Sequence, residues 1–420
     1  MKKGLMLLAL VLCAGLLFAG PQAEEGAAEG GEVEVLHWWT SGGEAASVAV
    51  LKQLLEQEGF TWKDFAVAGG GGDQAMTVLR SRAVAGNPPT AAQVKGPQIQ
   101  DWAAEGFLTN LDDVAKAEKW DDLIPKVIAD IMKYQGHYVA VPVNVHRINW
   151  MWVNPSVFEK AGASIPKTWA EFETAAKKIK AAGLIPVAWG GQPWQEATVF
   201  ETIVAGVGGT DFYRKTMVQA DPAAMNSPTM IKCLETLKMM KQYTDPGAPG
   251  RDWNLATAMV IKGEAGMQFM GDWAKGEFTA AGKVPGKDYL CLPAPGTANA
   301  FTFNIDSFVM FKQKSAEAQK GQMHLAEAIM SPAFQEVFNL NKGSIPVRLN
   351  MDLSKFDDCA RLSSRDFVAT SQSGGLVPSI AHGMAVPAAI AGALQDVVTR
   401  FFNNGISPRQ ATNMLAAAAR

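Results

Sequence analysis

Two adjacent tryptophans and a nearby carboxylate, Trp38, Trp39 and Glu44, are the first residues of this sequence that could bind a ligand. The alternation around Val33 to Val35 predicts a strand before them, and apolar residues at helical spacing follow them. In α/β proteins, a strand that turns sharply into a helix places the turn at the edge of the sheet where ligands bind. Flat rings can stack on a ligand while a carboxylate accepts hydrogen bonds from it. The stretch therefore predicts a binding surface.

The same residues also allow purely structural interpretations. In a regular strand Trp38 and Trp39 would point to opposite faces, which would place one of them in the core. Ser41 and Glu44 have the spacing of a helix capping box, in which Glu44 accepts a hydrogen bond from the Ser41 N–H. Gly42 and Gly43 are expected to form a flexible turn. The residues alone leave these alternatives open.

Other candidates lie at turns or inside apolar runs. Trp194 and Trp273 each follow a predicted strand and a glycine turn, although an isolated tryptophan is more often a core residue. Lys95 follows an apolar-leaning stretch, where a lone lysine would ordinarily be solvated. Asp306 interrupts the run FTFNIDSFVMF, and a carboxylate buried there needs a partner, either internal or on a ligand.

Three further features indicate little by themselves. The run Gly69 to Gly72 precedes a predicted helix and could in principle cradle phosphate. It lacks the GxxxxGK[ST] spacing of nucleotide loops, so a flexible turn is the better interpretation. Lys342 could be solvated, and a lone histidine such as His382 is more often structural.

Length and composition favour a two-domain globular protein. A chain of 420 residues is too long for one ordinary core, and 48% hydrophobic with 19% charged residues excludes disorder. The net charge of -3 and the absence of a basic run argue against nucleic-acid binding. Predicted strands alternate with predicted helices throughout, which is typical of α/β units. The sequence also contains no GxSxG or HExxH motif and no nucleotide loop, so it predicts no catalysis, cofactor or metal site.

The N-terminus is typical of an export signal. Lys2 and Lys3 precede the apolar run from Leu5 to Ala19, which is too short to span a membrane comfortably. We expect a signal peptide at 1–23, a flexible spacer at 24–32 and a soluble extracytoplasmic (periplasmic) protein. Lipid attachment at Cys13 stays open as an alternative.

The remaining cysteines, Cys233, Cys291 and Cys359, are odd in number and irregularly spaced. They match neither a metal site nor a disulfide framework. We therefore expect all three to be small buried apolar residues.

The order of motifs along the chain resembles a known family. These motifs are the WW turn, PVNVHRINWMWVNPSVFEKAG, PKTWAEF, KGEAGMQFMGDW and FNIDSF. They resemble the extracytoplasmic solute-binding proteins of ABC sugar importers, the group that includes maltose-binding protein, and most of all its bacterial glucose-binding branch. Residues Trp150 to Phe172 match a motif of the group, with Val153 where tyrosine is usual. That motif lies outside the pocket, so it identifies the family and not the ligand.

The resemblance implies an α/β, two-lobed periplasmic-binding-protein fold of type II, with the ligand in a cleft between the lobes. Two or three hinge segments would cross between the lobes, near Val145, Asp306 and Pro346. Each lobe would then be discontinuous in sequence. The implied lobes are an N-terminal lobe, 33–145 and 307–345, and a C-terminal lobe, 146–306 and 346–420.

The resemblance also implies a monomer that captures a monosaccharide, with glucose favoured, and delivers it to the transmembrane subunits of an ABC permease. Another sugar (galactose, mannose or a disaccharide) and a role as a sugar sensor stay open. A secreted glycosidase using Glu44 and Asp306 is less favoured. The residues implied to contact the sugar are Trp38, Trp39, Glu44, Lys95, Trp194, Trp273, Asp306, Lys342 and His382.

Overall fold

The structure is a computed structural model that describes residues 30–419. The expected signal peptide, Cys13 and the start of the expected spacer lie outside these residues. Backbone hydrogen bonds fix residues 30 and 31 in place. The Gly30 N–H donates to Gly59 O, and the Thr61 N–H donates to Gly31 O. Among residues 30–419, none of the helices combines the length and apolar character that crossing a bilayer requires.

The described chain alternates short strands with helices. The strands are β1 (Glu32–His37), β2 (Thr61–Ala66), β3 (Ala91–Gln93), β4 (Lys133–Tyr134), β5 (His137–Tyr138), β6 (Ala140–Pro142), β7 (His146–Arg147), β8 (Trp150–Val153), β9 (Ile185–Val187), β10 (Ala265–Phe269), β11 (Leu290–Pro293), β12 (Phe301–Asn304), β13 (Ser307–Met310) and β14 (Leu376–Pro378). The helices are α1 (Gly42–Gln57), α2 (Asp73–Val84), α3 (Pro97–Ala104), α4 (Asp112–Ala117), α5 (Trp120–Leu123), α6 (Lys126–Met132), α7 (Pro155–Lys160), α8 (Trp169–Ala181), α9 (Pro193–Tyr213), α10 (Pro222–Met225), α11 (Pro228–Lys241), α12 (Trp253–Lys262), α13 (Trp273–Ala280), α14 (Ala316–Met330), α15 (Pro332–Lys342), α16 (Asp358–Ser373), α17 (Ala388–Asn404) and α18 (Pro408–Ala418).

The first lobe is built on a five-stranded sheet in the order β2-β1-β3-β13-β6. Strands β1, β2 and β3 are parallel, and β13 pairs antiparallel with β3 and β6. Val33, Val35 and Leu36 of β1 are fully buried because helices cover the sheet. The carboxyl end of β1 therefore delivers the chain to the edge where the two tryptophans follow.

The glycines after this strand do not form the expected flexible turn. Helix α1 begins at Gly42, with Ser41 as its N-cap residue. A Cβ atom on Gly43 would lie 2.9 Å from the carbonyl carbon of Gly276 in α13. Glycine is therefore needed here because another helix approaches closely, and not because the backbone must bend.

The second lobe contains a four-stranded sheet, β11-β8-β10-β9, and a three-stranded sheet, β14-β12-β7. Apolar residues of α8, α9, α11 and α17 cover the four-stranded sheet and form a separate core. Thr168 and Glu171 have the spacing of a capping box in the sequence, and they form one at the start of α8, where each side chain accepts a hydrogen bond from the backbone N–H of the other residue.

Three segments run side by side where the chain passes between the sheets of the two lobes. One segment joins β6 to β7, another joins β12 to β13, and the third follows α15. The Val143 N–H donates to Asp306 O at 2.8 Å, while Val145 and Ile345 exchange backbone hydrogen bonds of 2.9 and 3.1 Å. These few bonds link otherwise separate crossings.

The prediction for two of the cysteines is wrong. Cys291 of β11 and Cys359 of α16 form a disulfide across 68 residues of sequence. The spacing could not reveal this pair because the packing of α16 beside β11 brings the two residues together. Cys233 is a free, buried cysteine, as predicted.

We expect this disulfide to stabilise the fold by roughly 2–4 kcal/mol, because closing a loop of this length restricts the unfolded chain. Urea unfolding of the oxidised protein, followed by intrinsic fluorescence, should show a higher midpoint than unfolding with reductant present. The double variant Cys291→Ala/Cys359→Ala is the control, since reductant should not change its midpoint. Equal midpoints for the oxidised and reduced wild type would contradict the expectation.

Candidate ligand-binding site

A cavity of about 180 Å³ lies between the two lobes. All the residues that the sequence singled out as ligand contacts border it: Trp38, Trp39, Glu44, Lys95, Trp194, Trp273, Asp306, Lys342 and His382. Residues far apart in sequence, from the end of β1 to the turn after β14, thus meet at one place. The tertiary fold therefore brings all the predicted residues to one cavity.

Trp38 and Trp39 form the aromatic wall of the first lobe. Strand β1 ends at His37, so both tryptophans lie beyond the regular alternation that would have sent them to opposite faces. Trp38 carries the Lys95 ammonium over its ring at 5.0 Å. Trp39 is 2% exposed and packs on Phe308 and Phe338, with ring centroids 5.7 and 5.2 Å away. Trp39 is therefore a core residue whose remaining edge borders the cavity.

Glu44 does two things at once. Its Oε2 accepts from the Ser41 N–H at 3.4 Å, which is half of the predicted capping box. Its Oε1 accepts from the Lys342 ammonium at 2.5 Å, although the two residues are 298 positions apart in sequence. Lys342 is 2% exposed, so this is a buried ion pair in which each charge compensates the other.

Trp194 and Trp273 form the wall of the second lobe. They lie in the first turns of α9 and α13, and their ring centroids are 6.2 Å apart. The His382 ring packs against both, with its centroid 5.8 Å from that of Trp194 and 4.9 Å from that of Trp273. Trp194 donates its indole N–H to Gln192 at 2.8 Å. The indole nitrogen of Trp273 has no hydrogen-bond partner among the described residues.

The glycine run 69–72 closes one side of the cavity against Trp194. A Cβ atom on Gly70 would lie 2.4 Å from Trp194 Nε1, so only glycine permits this contact. Gly71 and Gly72 have positive φ angles of 80° and 94°. The run therefore forms the part of the cavity wall that packs against Trp194 of the second lobe. This role was not predicted from the sequence.

Asp306 is held by side chains of the protein. Its carboxylate accepts from Gln93 Nε2 at 3.2 Å, Asn144 Nδ2 at 3.2 Å, His146 Nε2 at 2.9 Å and Asn304 Nδ2 at 3.4 Å. A carboxylate has about four acceptor positions, and these donors occupy them. Of the two partners considered from the sequence, the internal one is present in the structure.

His146 lies between two buried carboxylates and was not predicted. Its ring nitrogens contact Asp272 and Asp306. Burial by itself lowers the pKa of His146, but the two carboxylates outweigh it and raise the pKa above its ordinary value. Burial likewise raises the pKa of Asp306, whereas His146, Lys342 and Lys95 bring it well below the usual range. The carboxylate form of Asp306 is therefore fixed.

Lys95 has unused hydrogen-bonding capacity. It is 9% exposed, and its ammonium reaches only Gly71 O, at 3.5 Å, among the described residues. Burial lowers the pKa of Lys95, partly opposed by Asp306 and Asp73. An ammonium offers three donors, so most of this capacity is left for a ligand.

Unsatisfied polar atoms and balanced charge indicate the chemistry of the ligand. Within residues 30–419, some buried polar atoms on residues that border the cavity lack hydrogen-bond partners, among them Trp273 Nε1, Asn304 Oδ1 and His382 Nε2. Trp273 Nε1 can only donate and Asn304 Oδ1 can only accept, while the role of the His382 nitrogen is set by its tautomer. The bordering carboxylates are Glu44, Asp252 and Asp306, and the bordering cations are Lys95, Lys342 and His146. The arrangement suits a neutral molecule that carries several hydroxyl groups and apolar faces.

Several other residues that border the cavity were not predicted from the sequence. His146 and Asn304 are polar interruptions within β-rich runs, which is the signal that identified Asp306. No comparable signal marks the segment from Asp252 to Asn254, whose place is set by the start of α12.

The family of bacterial extracellular solute-binding proteins matches residues 39–329 of the chain. A probable sugar-binding periplasmic protein of Brucella suis biovar 1 (strain 1330) is 49% identical over 418 residues, covering 100% of this chain and 99% of the relative. Another of that description, from Rhizobium meliloti (strain 1021), is 50% identical and covers 92% and 93%. The solved structure of the bacterial solute receptor AcbH aligns with a TM-score of 0.76 at 21% identity, covering 93% and 97%.

These similarities confirm the family and the fold predicted from the sequence. At 21% identity the AcbH structure supports the fold alone. The matched family covers well over half of the chain, and the Brucella relative covers all of it. The chain is a member of the bacterial extracellular solute-binding proteins, with their two-lobed α/β architecture.

Proposed function

We propose that the protein binds a neutral monosaccharide, with glucose as the first candidate, in the cavity between its lobes. The observation that carries the proposal is a small cavity in which aromatic walls from both lobes surround unpartnered donors and acceptors. Pyranoses combine apolar ring faces with hydroxyls, which this combination suits. Cavities that enclose drug-sized ligands measure roughly 300–1,000 Å³. The smaller volume here favours one sugar ring over an oligosaccharide.

The names of relatives support a sugar and leave its identity to experiment. The Brucella and Rhizobium relatives are named as probable sugar-binding periplasmic proteins. A relative that is 24% identical over 250 residues, from Saccharolobus solfataricus, is named as a glucose-binding protein. The AcbH receptor is described as exclusive for a galactopyranose. These names thus favour a sugar as the ligand, and the preference for glucose over its epimers is proposed in addition.

The proposed mechanism is closure of the lobes 33–145/307–345 and 146–306/346–420 around the sugar. A ligand that contacts both aromatic walls stabilises the closed arrangement over an open one. The three adjacent crossings are the proposed hinge. The closed monomer would then present the sugar to an ABC permease outside the cytoplasm, as the periplasmic naming of the relatives suggests.

A glycosidase is the weaker alternative because neither candidate carboxylate is placed for acid–base chemistry. A general acid must hold a proton near neutral pH, which requires a raised pKa. The pKa of Asp306 is instead well below its usual range because His146 and the nearby lysines outweigh burial. Glu44 is occupied by Lys342.

Titration calorimetry with glucose should give a dissociation constant of micromolar or tighter, which is about -8 kcal/mol or more negative. Galactose, mannose, xylose, maltose and trehalose form the comparison panel, and we expect glucose to bind tightest. Tryptophan fluorescence provides an independent signal because five tryptophans border the cavity. Binding of another member of the panel alone would replace glucose, and no response to any monosaccharide would refute the proposed ligand class.

Lys95→Met should weaken glucose binding about 10- to 100-fold, because a hydrogen bond from a charged donor contributes about 1.5–3 kcal/mol. The variant should not lose stability. Burial lowers the Lys95 pKa in the folded state, so the protonated lysine destabilises the fold at neutral pH and its removal relieves that cost. Calorimetry and urea unfolding measure the two effects.

Lys342→Met is the matched comparison, since both lysines are buried beside a tryptophan of the first lobe. It removes the partner of Glu44, so we expect a loss of about 3 kcal/mol in the free energy of unfolding as well as weaker binding. Unchanged affinity of Lys95→Met would remove Lys95 from the ligand contacts.

A further inference from the structure

The His382 ring is attached to a chain of buried hydrogen bonds that starts outside the cavity. Glu201 of α9 lies with Oε1 2.6 Å from Ser379 Oγ, and Ser379 Oγ lies 2.8 Å from His382 Nδ1. Glu201 and Ser379 are fully buried, and His382 is 5% exposed. The other ring nitrogen, Nε2, has no partner among the described residues and belongs to a side chain that borders the cavity.

The direction of these hydrogen bonds follows from the surroundings of Glu201. Its Oε2 accepts from the backbone N–H groups of Ile380 and Ala381 at 2.8 and 3.4 Å. The Tyr213 hydroxyl, with one hydrogen to donate, lies 2.8 Å from both Glu201 Oε2 and Pro378 O. These backbone N–H groups can only donate, and an ionised carboxylate can only accept. The single hydroxyl hydrogen of Ser379 is therefore directed to Glu201 Oε1.

Ser379 Oγ can then act only as an acceptor toward His382. It accepts from the His382 backbone N–H at 3.2 Å and, at 2.8 Å, from the ring. The ring proton must therefore be on Nδ1, which leaves a lone pair on Nε2. Burial lowers the pKa of His382, which keeps the ring neutral with a single proton.

We propose that Glu201 and Ser379 are positioning residues that fix His382 as the Nδ1–H tautomer, so that Nε2 accepts a hydrogen bond from a ligand hydroxyl. The inference rests on the proposed sugar function for its ligand, but not for the tautomer itself. Neither Glu201 nor Ser379 borders the cavity, so both act through His382.

This acceptor complements the donors around it. Lys95 and Trp273, which border the same cavity, can only donate. A ligand hydroxyl can accept from one of these groups and donate its own hydrogen to Nε2. An ether, a methoxy group or a fluorine at the same position can accept but has no hydrogen to donate. The tautomer would therefore make the site selective for a free hydroxyl.

The wild-type tautomer can be read directly from ligand-free protein. In two-bond ¹H–¹⁵N spectra of ¹⁵N-histidine-labelled protein, His382 should show a protonated Nδ1 and an unprotonated Nε2, with the signal assigned by its loss in His382→Gln. A protonated Nε2, or a fast average of the two forms, would overturn the proposal. Sugar binding does not enter this measurement.

Glu201→Gln should reverse the direction of the hydrogen bonds that join residue 201, Ser379 and His382. The amide oxygen would stay with the backbone N–H donors of Ile380 and Ala381, which places the amide NH₂ against Ser379 Oγ. Ser379 would then receive a hydrogen from Gln and give its own to His382 Nδ1, which moves the ring proton to Nε2. In the ¹⁵N spectrum we expect Nε2 to become the protonated nitrogen and Nδ1 the unprotonated one. We expect glucose affinity to fall about tenfold.

Glu196→Gln is the matched control. Glu196 is also a buried carboxylate of α9, but it accepts from Asn403 instead of Ser379. This variant should leave the His382 spectrum and the affinity unchanged. An unchanged His382 tautomer in Glu201→Gln would contradict the proposal. If that variant fails to fold, the wild-type spectrum alone decides the tautomer. The expected wild-type tautomer without binding of any sugar would preserve the tautomer assignment and reject the proposed function.

Discussion

The buried contact between His146 and Asp306 lies where the chain passes from one lobe to the other. Asp306 links the crossings by accepting the Val143 N–H through its backbone and His146 through its side chain. A buried charge is tolerated only when it is compensated in place, and His146 and Asp306 each meet that condition for the other. Asp272, on the far side of His146, extends the cluster into the second lobe. The proposed hinge and the part of the cavity bordered by His146 and Asp306 are thus built from the same few groups.

This compensation decides which groups are left for a ligand. Glu44 and Lys342 neutralise each other, and Asp306 is occupied by internal donors. Lys95 and His382 Nε2 keep hydrogen-bonding capacity. A cavity with balanced charge and a few unpaired polar atoms favours a neutral polar ligand over an anion, whatever the identity of the sugar. The buried charges hold the site in shape, and the unpaired atoms are available for recognition.

Much of the candidate site could be predicted from local signals. Aromatic residues after strand ends, a carboxylate in an apolar run and the order of family motifs together pointed to residues that share one cavity. The turn expected at Gly42 and Gly43 was wrong, and the close contact at Gly70 was not predicted, because sequence shows that glycine is present but not why. Gly43 and Gly70 are there because the opposite lobe approaches closely, which no local pattern encodes.

By itself, the sequence determined the α/β alternation, the helix cap at Thr168, the family and the residue types suited to a sugar. Those features follow from periodicity and short motifs, which act over a few residues. Only the tertiary structure decided that Cys291 pairs with Cys359, that Trp39 is largely core and that Glu44 pairs with Lys342. These outcomes depend on contacts between residues 68 to 298 positions apart, or on which surfaces pack together. The free energy of such contacts exists only once the lobes have formed.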